Sequence, residues 1–136
     1  MIAIRRLCGS FRCVRPAKPS TTTRWTDAFT PLVRYLQNSP SHVVYVTDWG
    51  ILETVNLLSE GEVPVQDATA ALPAMLADKN ALFLTHAPAY EIWPAREQAL
   101  REFAAPNGYR RELLMQVPDR NGRKIFEVSR YSSASK

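Results

Sequence analysis

His42-Val43-Val44-Tyr45-Val46-Thr47-Asp48-Trp49-Gly50-Ile51-Leu52-Glu53-Thr54-Val55-Asn56-Leu57-Leu58 changes its hydrophobic period halfway along. Val43 to Val46 is a short run of β-branched and aromatic residues, too short for a helix and suited to a buried strand. Thr47-Asp48-Trp49-Gly50 has the composition of a tight polar turn. Ile51, Leu52, Val55 and Leu58 then fall on one face of a 3.6-residue period, which predicts an amphipathic helix. A strand feeding a helix through a short turn opens a βαβ unit. Ligands in such folds sit at the carboxyl ends of the strands, which is where Asp48 and Trp49 fall.

Working outward, Trp25, Ala28, Phe29, Leu32, Val33 and Leu36 recur at helical spacing. Thr26 or Asp27 is placed to cap that helix, and Asn38-Ser39-Pro40-Ser41 to stop it. After the opening strand and helix, Gly61 fits the left-handed C′ position. Val63-Pro64-Val65-Gln66-Asp67 reads as a second strand, with Pro64 confining it to an edge or to its own start. Ala70 to Asp78 is a short helix turning Leu72, Met75 and Leu76 inward. Ala81 to Thr85 is a third buried strand, followed by a loop from His86 to Trp93. Pro94 suits the first position of another helix, with Ala95, Ala99, Leu100 and Phe103 inward. Tyr109 to Val117 and Lys124 to Tyr131 are strand-like, and Pro118-Asp119-Arg120-Asn121-Gly122 joins them as a hairpin. The expected fold is α/β: a three-layer Rossmann-like sandwich of parallel strands with a C-terminal antiparallel hairpin. Residues 25–131 form one domain in this reading, between a basic flexible arm at 1–24 and a disordered tail at 132–136.

The formal net charge of +4 belongs to the arm. Residues 1–24 carry six basic residues and no acidic one, whereas the rest carries eleven basic against thirteen acidic. A folded part with that balance lacks the clustered Lys and Arg that phosphate neutralisation requires, so no nucleic acid is expected on it. Cys8 and Cys13 lie in the arm without His or further Cys partners, and read as free thiols. No apolar run has the length of a membrane span. Arg5 and Arg6 interrupt the centre a secretory signal requires, while the Arg-rich, acid-free arm has the composition of an organellar transit peptide, of a mis-assigned start or of the remnant of a longer gene.

Asp48, Asp67 and Thr85-His86 end the three strands and should converge at one sheet edge. Two readings are open there. One is a small polar-ligand site, with His86 moving a proton and Asp48 orienting it. The other makes Asp48 and Asp67 caps of the helices that follow. Tyr90 and Trp93 flank the loop after the third strand, where they stack on a flat ligand or seat the loop on the core. The ligand-binding candidates are therefore Asp48, Trp49, Asp67, His86 and Tyr90. No dinucleotide fingerprint, phosphate loop or nucleophile elbow is present, so no cofactor and no catalytic residue is assigned. With His42 and His86 the only histidines, no metal is expected. Glu91, Glu97 and Glu102, with Arg96 and Arg101 among them, have the spacing of a solvated surface.

The helix opening at Trp25, the strand ending Thr47-Asp48-Trp49-Gly50, the helix ending Leu57-Leu58 before Gly61, two further βα units and the hairpin at Gly122 together resemble one kind of domain. It is the soluble C-terminal domain of bacterial multi-pass membrane glycosyltransferases, similar to dolichyl-phosphate-mannose–protein mannosyltransferases. The resemblance covers about Trp25 to Tyr131 and rests on the Asp-Trp-Gly triplet and the element order. It implies a non-catalytic accessory domain at the extracytoplasmic face of the membrane, contacting glycan, acceptor or a membrane-protein partner. The family's catalytic acids lie near its membrane helices, and nothing here matches that region.

Overall fold

The computed structural model describes residues 26–41, 43–68 and 72–133. The roles expected for Trp25, His42, the basic arm and both cysteines lie outside them. The element order is α1 (Phe29–Gln37), β1 (Val43–Val46), α2 (Leu52–Leu58), β2 (Val65–Asp67), α3 (Leu72–Ala77), β3 (Ala81–His86), α4 (Pro94–Ala104), β4 (Tyr109–Pro118) and β5 (Lys124–Ser133). Short 3-10 turns occupy Pro88–Tyr90 and Ala105–Asn107. The strands form one open mixed sheet in the order β2-β1-β3-β5-β4. β1 is parallel to β2 and β3, whereas β5 is antiparallel to both β3 and β4. Pro64 precedes an edge strand, where its missing N–H costs no ladder bond, and its carbonyl accepts from Val44 N.

Strand alternation sorts the apolar residues into two clusters. Val44, Val46, Leu82, Leu84, Phe126 and Val128 join the buried residues of α1 with Ile51 and Val55. Val43, Ala81, Phe83 and Tyr131 join Met75 and Leu76 of α3 and Leu100 and Ala104 of α4. The stripe of α1 is as its spacing predicts: Ala28, Phe29, Leu32, Val33 and Leu36 are all buried. Its start is bound by Thr26, whose Oγ1 accepts from Ala28 N, while the Asp27 carboxylate crosses to Arg120 in the hairpin.

Two faces differ from expectation. In α2 the buried line is Ile51, Val55 and Ser59, an i, i+4 row, and Leu58 is exposed with Leu57. In α4 the buried residues are Glu97, Leu100 and Ala104, while Ala95 and Ala99 face solvent. The helix is rolled so that Glu97 reaches a polar cluster on the sheet. β5 also runs through Ser132 and Ser133, two residues beyond the expected domain end.

The C-terminus of α2 is a Schellman turn displaced by one residue from the expected place. Glu60 N donates to Leu57 O and Gly61 N to Asn56 O, which puts Glu60 at C′ with φ +54° and Gly61 at C″. A non-glycine residue in the left-handed region carries a steric cost that glycine avoids. Glu60→Gly should raise stability by about 0.5–1 kcal/mol, seen as a higher denaturation midpoint at unchanged m-value.

Candidate functional site

Sheet register builds the centre of the site. Val46 of β1 lies opposite Leu84 of β3, so two residues further on Asp48 faces His86 on the same side of the sheet. Both are buried, and His86 Nδ1 lies 2.7 Å from Asp48 Oδ2. An ionised carboxylate only accepts, so Nδ1 carries the proton. The His86 ring stacks on Phe126, 5.2 Å between centroids. Asp48 does not cap α2. Its Oδ2 also accepts from Ile92 N at 2.9 Å, and its Oδ1 accepts from Trp49 N at 2.8 Å and Trp93 N at 2.7 Å. Burial alone would push this carboxyl up, but the His86 bond and the three backbone N–H bonds outweigh it and hold it below the ordinary carboxylate value.

One oxygen of Asp48 therefore fixes the backbones of two tryptophans from distant segments. Both tryptophans line an open cleft of about 300 Å³, together with Asp48, Glu53, Asp67 and Arg96. Trp49 is 45% exposed and Trp93 47%. Arg96 Nη1 donates to Asp67 Oδ1, and the guanidinium carbon sits 5.0 Å from the centre of the Trp93 ring. Of the five expected residues, Asp48, Trp49 and Asp67 come together here. His86 lies behind Asp48 at 2% exposure, outside the cleft lining, and Tyr90 packs its side chain against the core cluster of α1 and α2. Arg96 and Glu53 were missed as site residues, although the alternation of acidic and basic residues through 91–102 was visible.

The opposite face of the same strand ends carries a cluster that the spacing did not reveal. Glu97, expected on the surface, is 4% exposed. Its Oε1 accepts from Thr47 Oγ1 at 2.9 Å and its Oε2 from Arg101 Nε at 2.8 Å. Arg111 from β4 lies 3.7 Å away and donates through Nη2 to the buried Glu127, which also accepts from Gln116. Glu91, beside this cluster, is pushed up by burial and by the neighbouring charges of Glu97 and Asp48. The Tyr131 phenol is pushed up to about 12, first by burial and then by the Glu97 carboxylate. Arg101 approaches the phenol closely enough to pull it back through charge and hydrogen bonding, yet no contact to the buried hydroxyl has full hydrogen-bond geometry.

The pH consequence is alkaline. A phenol whose folded pKa exceeds its unfolded value keeps its full contribution below pH 10 and loses it as pH rises from 10.0 towards about 12. Tyr131→Phe should flatten that part of the stability–pH curve. At neutral pH it should be neutral or stabilising by up to about 1 kcal/mol, because a poorly bonded hydroxyl leaves the interior. Urea titrations at neutral and alkaline pH give both numbers.

A larger cavity of about 650 Å³ lies at the other ends of the strands, among Lys79, Tyr109, Glu112, Arg130 and Ser132, and holds none of the sequence-predicted residues. Among the described residues no group of three or more His, Cys, Asp or Glu side chains is arranged to hold a metal ion, and no helix is long and apolar enough to cross a membrane. No family model, curated protein or solved structure matches the chain.

Proposed function

We propose that this chain is a non-catalytic glycan-binding accessory domain that takes saccharide in the cleft between Trp49 and Trp93. The observation that carries the reading is the pair of half-exposed tryptophans on one cleft, their backbones both tied to Asp48 Oδ1, with the Asp67–Arg96 pair in the same lining. Indole rings pack on the apolar C–H faces of pyranoses, and a partly exposed carboxylate such as Asp67 accepts from the hydroxyls. Exposed aromatic side chains grouped on one concave surface mark a contact site. In this reading the mixed sheet with helices on both sides is the Rossmann-like three-layer arrangement of the soluble domains of lipid-linked-sugar glycosyltransferases, and the chain acts at the extracytoplasmic face beside a membrane-protein partner. The element order and the Asp48-Trp49-Gly50 turn support that kinship.

The alternative, an enzyme using His86 as acid or base, has less geometric support. The imidazole is buried, its Nδ1 is committed to Asp48, and it does not line the cleft. Proton transfer to a ligand requires hydrogen-bond reach.

A glycan array followed by calorimetry tests the proposal. Trp93→Ala should weaken saccharide binding about tenfold or more, with the melting temperature nearly unchanged since the ring is half exposed. Unaltered affinity in both Trp93→Ala and Trp49→Ala would remove the cleft from the argument, and absence of any saccharide ligand would end it.

A further inference from the structure

Resting on the glycan-binding reading, we infer that the cleft selects saccharides bearing a protonated amino group. The cleft lining carries two exposed carboxylates, Glu53 and Asp67, against one cation, Arg96, while the Asp48 carboxylate is buried and committed to its own donors. That cation is not turned out to solvent. Its guanidinium lies 5.0 Å from the centre of the Trp93 ring while Nη1 donates to Asp67 Oδ1. The chain thus places one of its own cations in the box formed by an indole face and a carboxylate. An aromatic face attracts a cation through its quadrupole, and the attraction grows when a carboxylate completes the contact. Glu53, on the first turn of α2, adds a second carboxylate to the same lining.

An ammonium group on a pyranose meets the same requirements in less space than a guanidinium. It binds by displacing Arg96 from Asp67, with Glu53 as the second carboxylate, while the sugar ring lies along the indoles. Both Arg96 and Asp67 are partly exposed, so their pairing is a weak competitor: surface ion pairs are worth little and exchange readily with water. An anionic saccharide, bearing uronate or phosphate, instead meets a carboxylate excess.

The experiment uses the full chain and a matched pair of probes, a short glucosamine oligomer and its fully N-acetylated counterpart, titrated at a pH where the amines are protonated. The amine form should bind about tenfold more tightly. Asp67→Asn should remove most of that preference, and Arg96→Gln should increase affinity for the amine form severalfold, since the internal competitor is gone. Melting temperatures check that these exposed-site variants stay folded. Equal affinity for the two oligomers, or a preference untouched by Asp67→Asn, overturns the charge selectivity while leaving tryptophan-dependent glycan binding in place. Loss of affinity in Arg96→Gln makes Arg96 a ligand contact and overturns its role as occupant. If no oligomer of either kind binds, and no neutral or acidic glycan does, the glycan reading falls together with this one.

Discussion

Asp48→Ala is expected to lower stability by about 3–5 kcal/mol, a large part of the 5–15 kcal/mol typical of a domain. The carboxylate is buried, so solvent screening does not dilute its contacts. Its removal leaves the Trp49, Ile92 and Trp93 N–H groups and the His86 Nδ1–H without their acceptor. Each buried donor left unpaired costs about 1–3 kcal/mol, less whatever water recovers at the cleft. The effect has a second signature. Trp93 is the residue that precedes α4, so the loop from Ala87 to Trp93 and the start of α4 lose their tie to β1. Saccharide binding should fall even under conditions where the variant is folded, whereas His86→Ala should destabilise without abolishing binding. The acid limb follows from the same geometry. The folded carboxyl titrates below its ordinary value of 3.8, so its contribution is complete above that value and is lost as pH falls through the folded pKa. Asp119, held low by its bonds to Asn121 and Arg123 against the upward push of burial, adds to the same acid limb. Stability should therefore fall more steeply from pH 5 downward for the wild type than for Asp48→Ala, and an equal slope would mean that the fold does not lower the Asp48 carboxyl.

The strand–turn–helix at Val43 to Leu58 was legible because its signals are local. β-branched residues, a turn with Gly50 at φ +85°, and a change of period all act within a few residues. The hairpin was legible for the same reason: Pro118 to Gly122 contains the Asp and Gly that its turn requires, with Asp119 accepting from Asn121 N and Arg123 N. Convergence of Asp48 with His86 followed from parallel pairing alone, since equal register carries equal offsets. The role of Asp48 did not follow, because its partners Ile92 and Trp93 are more than forty residues away and donate through backbone, which leaves no trace in side-chain type. Leu58 was misplaced because α2 is seven residues long, too short for its stripe to distinguish neighbouring faces. Glu97 was misplaced for a different reason. An acid flanked by Arg96 and Arg101 has the pattern of a solvated helix, and only the roll of α4 against β1 and β4 takes it inside.

That burial leads to the second large effect. Glu97→Ala should cost about 2–4 kcal/mol, while Arg101→Ala should cost less than about 1 kcal/mol. The two residues share a 2.8 Å hydrogen bond, so a pairwise view would assign them equal losses. Their surroundings differ. The Arg101 side chain is 43% exposed and its guanidinium returns to water when the partner is removed. Thr47 is almost wholly buried and has no such recourse once its acceptor at 2.9 Å is gone, and Arg111 keeps Glu127 but loses its second carboxylate. Glu97→Gln, which retains an acceptor for Thr47, should fall between, at roughly 1–2 kcal/mol. The double variant Thr47→Val with Glu97→Leu removes both members of one buried pair, and replacing both partners by apolar groups is commonly close to neutral. It should therefore recover more than half of the Glu97→Ala loss, with a favourable coupling in the double-mutant cycle. If Glu97→Ala and Arg101→Ala prove equally mild, α4 is held to the sheet by Leu100 and Ala104 alone, and the polar cluster beneath it contributes orientation without stability.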